Sequence, residues 1–158
     1  MLDWLRNLFT RGPRPAGPSR TIRKFGAGEP TLTGDQITVA QDGWLIDARG
    51  DAVIRLFEIP DPQVEQCLLA YRAQMKSDGL SGRAFLEMWC RFPGRGEFFS
   101  KGIQRPISGT TDWSSYEIPF YLKKGEQPDL IKLNLAIEGK GKGKVWIKDL
   151  ELLATPLQ

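Results

Sequence analysis

Between residues 83 and 92, aromatic and charged residues recur at every second position: Phe85, Glu87, Trp89 and Arg91. An extended strand has a side-chain period of two, so all four would share one face. Aromatic rings would then stand beside a carboxylate and a guanidinium. A saccharide needs this mixture, because its C–H faces stack on aromatic rings while charged planar groups make paired hydrogen bonds to its hydroxyls. Lys132 and Asn134 alternate in the same way within residues 130–138. They would complete a shallow site if that strand lies alongside the first. The competing reading is that Phe85 and Trp89 are packed under a loop or under the N-terminal segment, since large aromatics are more often buried than displayed.

Other constellations carry less chemistry. Glu87 and Glu138 could act as acid and base for glycoside cleavage, but no other catalytic feature accompanies them. The chain has no histidine, which deprives any serine or cysteine nucleophile of its usual base. The expectation is a protein that is not an enzyme. Cys67 and Cys90 lie in apolar runs and lack the count or spacing of a disulfide framework or a zinc site. They read as small buried hydrophobes. No acidic cluster points to a metal, and no cofactor is expected. Gly139, Gly141 and Gly143 imitate a nucleotide-binding glycine loop, yet a strand follows where a phosphate-cradling helix would have to start. They read as a hairpin turn, solvated by Lys140, Lys142 and Lys144.

The elements that must position these residues are strands. Within 64–75, Cys67, Leu69, Tyr71, Ala73 and Met75 alternate with Leu68, Ala70, Arg72 and Gln74, and Ser77, Asp78 and Gly79 read as the following turn. Within 83–92, Ala84, Leu86, Met88, Cys90 and Phe92 form the apolar set opposite the candidate site. Residues 130–138 alternate Ile131, Leu133, Leu135 and Ile137 with Lys132, Asn134, Ala136 and Glu138. Residues 144–153 bury Val145 and Ile147 before the alternation breaks at Asp149 and Leu150, where Asp149 reads as capping backbone amides or pinning a bulge. Shorter strands are expected at 21–25, 36–39, 43–48, 52–58, 97–100 and 113–122, with Pro119 marking an edge or a bulge. Strands at such short intervals, with no long helical period after residue 21, describe an all-β antiparallel sandwich spanning 21–158. The chain has 158 residues, enough for one core, and with 41% hydrophobic and 26% charged residues it is too apolar for a disordered chain.

Ahead of the sandwich, Leu2, Leu5, Leu8 and Phe9 recur at helical spacing with Trp4 alongside, predicting an amphipathic helix over residues 1–10. A Pro/Gly linker over 11–20 follows. So short a helix is marginal alone and needs a surface. Three remain open: its own domain, a membrane, or a protein partner. Residues 1–28 carry six basic side chains against Asp3 alone, a net +5, which leaves −2 for the remainder of a chain whose total is +3. A mildly acidic body behind a basic arm argues against nucleic acid as a partner. No apolar run is long enough for a membrane-spanning helix, and Asp3, Arg6 and Asn7 interrupt what a secretory leader would need. A cytoplasmic location is the resulting expectation, with a membrane periphery as the alternative should residues 1–10 meet a lipid surface.

The C-terminal half contains Pro106-Ile107-Ser108-Gly109-Thr110-Thr111-Asp112-Trp113, then Tyr116-Glu117-Ile118-Pro119, Leu135-Ala136-Ile137-Glu138-Gly139, and Gly143-Lys144-Val145-Trp146-Ile147-Lys148-Asp149-Leu150-Glu151-Leu152. This phrase resembles the galactose-binding-like jelly roll, the fold of many carbohydrate-binding modules, over residues 64–153. The resemblance implies a jelly-roll topology and a non-catalytic, carbohydrate-binding-like module, and it leaves the identity of the ligand open. In this reading Thr110, Thr111 and Asp112 form a turn, and Trp113 plugs one end of the core. A scaffold domain that works through residues 1–10 is the alternative.

Overall fold

The computed structural model describes residues 14–158; the helix expected over 1–10 lies outside the described residues. Nine strands are present among them and every pairing is antiparallel: β1 (Arg20–Phe25), β2 (Ile37–Ala40), β3 (Gly43–Arg49), β4 (Ala52–Pro60), β5 (Cys67–Phe92), β6 (Gly96–Lys101), β7 (Ile107–Leu122), β8 (Leu130–Glu138) and β9 (Lys142–Pro156). They form one hydrogen-bonded path, β2-β3-β9-β5-β8-β4, with β1 added to β9 and with β6 and β7 added to β5.

β5 makes the path into two layers. Its first limb, from Cys67 to Asp78, runs between β7 and β9, whereas its second, from Arg83 to Phe92, pairs with β8, and from Glu87 onward also with β6. The expected turn at Ser77, Asp78 and Gly79 is therefore a bend inside a continuous strand. Gly79 and Gly82 take φ of 59° and 63° there. A side chain is excluded at Gly82, because its Cβ would stand 2.7 Å from the Gly139 carbonyl oxygen. β7 follows the same bend, pairing Thr111 with Ser77, Gly109 with Leu80 and Ile107 with Ala84. Thr110, Thr111 and Asp112 consequently lie within β7 instead of forming a turn. Their side-chain oxygens still serve the backbone: Thr110 Oγ1 accepts from the Gly79 amide at 3.0 Å, and Asp112 Oδ1 accepts from the Trp113 amide at 2.7 Å.

The inward sets of both limbs meet in one apolar cluster. Leu69, Tyr71 and Met75 from the first limb, Leu86 and Met88 from the second, Leu133 and Leu135 from β8 and Ile147 from β9 are all buried in it. The Tyr71 hydroxyl crosses between layers to donate to the Asn134 carbonyl at 3.2 Å. Burying each such aliphatic side chain contributes roughly 1.5–3 kcal/mol. Both cysteines are free and buried, and burial pushes the thiols up to about 11 for Cys67 and about 12 for Cys90.

Two details of the sequence pattern reappear directly. In β9 the alternation breaks where Asp149 adopts φ 51°, and the pairing with β5 shifts register between Arg72 and Gln74. The glycine triplet closes the β8–β9 hairpin, and Gly143 brings the backbone close against the β5 bend, 2.7 Å from Leu80 Cα for a notional Cβ. Trp113 departs from expectation: it is half-buried and lies outside the core cluster, so it does not plug the sandwich.

Candidate ligand-binding face

Register assembles the candidate site on the outward side of the β6-β5-β8-β4 layer. Glu87 lies opposite Asn134 on β8 and Lys101 on β6; Trp89 lies opposite Lys132 and Phe99; Arg91 lies opposite Leu130 and Glu97. On the far side of β8, Arg55 faces Asn134 and Glu58 faces Lys132. All six residues expected from the sequence thus share one face. They occupy different depths.

Phe85, Glu87 and Asn134 form the floor. Phe85 is fully buried although it points away from the core, and Glu87 and Asn134 are only 3% and 5% exposed. A buried carboxylate needs partners, and Glu87 has three. Its Oε1 accepts from the Trp89 indole N–H at 2.9 Å and from the Asn134 amide at 3.0 Å, while Lys101 Nζ stands 3.8 Å from Oε2. The indole is therefore held from below, with its orientation set by a charge-assisted bond. Phe99, more than half exposed, leans on it at 5.2 Å between ring centroids and 57° between planes. Lys101 Nζ lies 4.5 Å from the centre of the Phe99 ring.

Ion pairs make the rim. Arg91 grips Asp129 with two bonds of 2.8 and 3.3 Å, and hydrogen bonding from Arg91 holds the Asp129 carboxyl below its ordinary value. Lys132 Nζ lies 2.6 Å from Glu97. Beyond Asp129 a cleft of about 800 Å³ with mixed polar and apolar walls opens at the end of the sandwich, lined by Asp61, Glu65, Gln127, Val64 and Leu157 among others and by no aromatic ring among its described residues. The paired carboxylates weighed for glycoside cleavage do not come together. Glu138 is bound to Arg83 at 2.9 Å, and it pairs four residues away from the level of Glu87. That is about 13 Å along the strand, beyond the roughly 5–9.5 Å that either cleavage geometry uses.

The face just described sits on a known framework. The structure is similar to the xylan-binding CBM22-1 domain of Paenibacillus barcinonensis Xyn10C, with a TM-score of 0.60 and 13% identity over 90% of this chain and 99% of that one. It is also similar to a CBM4 structure, with a TM-score of 0.53 and 10% identity over 84% and 85% of the two chains. A family 30 carbohydrate-binding module gives a TM-score of 0.51 at 16% identity over 87% and 92%. The chain has the jelly-roll fold of carbohydrate-binding modules. No family model matches the sequence, and no curated protein matches it.

On this jelly roll the sequence pattern misses Phe99, Lys101 and Glu97, the β6 residues that complete the face. A signal for them exists: a short turn at 93–95 between two alternating runs implies a hairpin that would set Phe99 against Trp89. The pattern also misses a second aromatic face. On the outward side of the β7-β5-β9-β3 layer, Lys76 lies opposite Trp146, and its Nζ is 4.8 Å from that ring and 5.3 Å from the ring of Trp113. Lys148 Nζ stands 4.2 Å over Trp113. One step along, Arg72 bridges Glu151 at 2.5 Å and Glu117 at 3.7 Å. Burial pushes the Glu117 carboxyl above its ordinary value, outweighing the attraction of Arg72.

Proposed function

We propose that this jelly roll is a non-catalytic module that binds a saccharide on its Trp89 face. Support comes chiefly from the arrangement of Trp89, Phe99 and Glu87. The buried Glu87 carboxylate orients the indole from beneath, which leaves an edge-packed pair of rings at the surface without the entropic cost of ordering them on binding. A sugar ring stacking on Trp89 would have its hydroxyls near Lys101, Lys132 and Arg55, each able to donate. The structural neighbours with the same fold, one of them xylan-binding by its description, are consistent with this reading; they do not transmit a ligand.

The test is a plant and microbial polysaccharide array followed by titration calorimetry on the full chain. Trp89→Ala should weaken the strongest glycan signal by about 2 kcal/mol, roughly thirtyfold, as expected for a central stacking residue. Trp146→Ala, on the opposite face, should leave it unchanged. Equal losses in the two variants, or binding that survives Trp89→Ala, would refute the assignment.

A further inference from the structure

The second outward face sets two ammonium groups among its indoles. Lys76 on β5 lies opposite Trp146 on β9, and Lys148, two residues further along β9, shares the side of Trp146. The Lys76 Nζ stands between the rings, 4.8 Å from the centre of Trp146 and 5.3 Å from that of Trp113, while Lys148 Nζ stands 4.2 Å over Trp113. Among the described residues neither lysine joins an ion pair, whereas Arg55, Arg91, Lys101 and Lys132 on the Trp89 face all do. Trp113 therefore gathers two uncompensated cations beside Trp146, whose own ring is half-exposed.

The same face continues into a hollow. Leu45 on β3 lies opposite Trp146, Asp47 lies opposite Lys144, and Thr38 on β2 lies opposite Leu45. These residues, with Gln36, line a space of about 380 Å³. The Gln36 Oε1 finds no hydrogen-bond partner among the described residues, which leaves an acceptor there for a hydroxyl group.

Ring, cations and acceptor together suit a ligand that is hydroxylated and anionic at once. The C–H face of a sugar stacks on an indole, and a carboxylate on the same sugar would meet the ammonium groups in charge-assisted bonds. An extended anionic surface fits less well. Arg72, four residues along β5 from Lys76 or about 13 Å, is flanked by Glu117 and Glu151, and Lys144 is opposed by Asp47 and Asp78. A bilayer or a nucleic-acid strand reaching that far would meet carboxylates on both sides of the two lysines, whereas one acidic sugar would meet the lysines alone.

We propose that the Trp146 face is a second saccharide site, separate from the Trp89 face and selective for a uronic acid residue. Trp146 is its stacking ring, Lys76 and Lys148 hold the carboxylate, and the hollow with Gln36 takes hydroxyls of the adjoining sugar.

Titration calorimetry of the full chain tests this with trigalacturonate and a hyaluronan tetrasaccharide, each beside its methyl ester. One acid at least should bind several-fold more tightly than its ester, and added salt should weaken the acid alone. Lys76→Met keeps the apolar stem and removes the charge, so it should bring the acid down to the affinity of the ester. Trp146→Ala should weaken acid and ester together, and Trp89→Ala should change neither, which separates this site from the other face. Equal affinity for acid and ester would overturn the proposal, as would acid binding that is lost in Trp89→Ala and kept in Trp146→Ala. Absence of binding by both acids at millimolar concentration would do the same. Flotation with phosphatidylglycerol vesicles that is lost in Lys76→Met would assign the lysines to a lipid surface instead.

Discussion

Two outward faces of this jelly roll each carry a pair of large aromatic rings with lysine beside them, and they hold those rings by different means. At Trp89 the anchor lies below: the indole N–H donates into a carboxylate that is 3% exposed and is itself tied to Asn134 and Lys101. At Trp113 the partners are cations near the ring, with Lys148 and Lys76 at 4.2 and 5.3 Å from its centre. An aromatic ring anchored through its edge by a buried hydrogen bond keeps its π-face for a ligand. The cation near the Trp89 ring, Lys101, stands 5.9 Å from its centre, whereas the Lys148 ammonium 4.2 Å over Trp113 competes with a ligand for that face. A recognition surface on a sheet is therefore read better from what lies under its aromatics than from the aromatics themselves.

The comparison can be broken first at its foundation. Leu133 is fully buried where the two layers meet, so Leu133→Ala should lower stability by about 2–5 kcal/mol. Because the faces share one core, tryptophan fluorescence and far-UV circular dichroism should report a single coincident urea transition. Two separate transitions would mean that the faces are independent units.

A sharper contrast follows from removing the anchors. Glu87→Ala strips the partner from the Trp89 indole and the buried Asn134 amide, which should cost about 1–3 kcal/mol. It should also weaken glycan binding, although Glu87 itself is buried. Lys76→Ala should cost about 1 kcal/mol, between the values for an exposed and a desolvated cation over a ring, since Lys76 is half-buried. Similar costs by urea titration would show that the two faces are braced alike.

The smallest effect is in pH. Burial raises the Glu117 carboxyl above its ordinary value, so the folded protein holds that proton more tightly than the unfolded chain. Its contribution to stability is full below the ordinary carboxylate range near 4.5 and is lost as pH rises through the raised value. Glu117→Gln should therefore gain relative to the parent as pH rises from about 4 to 7. The Trp89 face should show no such trend in the corresponding Asp129→Asn variant. There Arg91 holds the carboxyl below its ordinary value, so its contribution is present above that value and fades in acid.

Much of this could be read from residue order, and the exceptions have physical causes. β8 runs from Leu130 to Glu138 as its alternation implies, because one buried side enforces a period of two. The slip at Asp149 marks a bulge for the same reason. The bend at Gly79 and Gly82 misleads, since glycines at positive φ serve a turn or a bend equally well. Only pairing with β7 and β9 on one side of the bend, and with β8 on the other, makes β5 one strand in two layers. Phe99 stayed hidden because its role depends on the strand across the hairpin. The outward direction of Trp113 depends on the register shifts between β5 and β7.

By itself the sequence determined which side chains alternate and therefore which could share a face: Leu69, Leu86, Leu133 and Ile147 within, Phe85, Glu87, Trp89 and Arg91 without. That information is local, carried by the two-residue period of an extended chain. Depth and partnership were decided by the tertiary structure, which sank Glu87 and Asn134, tied Arg91 to Asp129 and brought Phe99 against Trp89. Those outcomes depend on strands distant in sequence lying about 5 Å apart, a distance that only the assembled sheet defines.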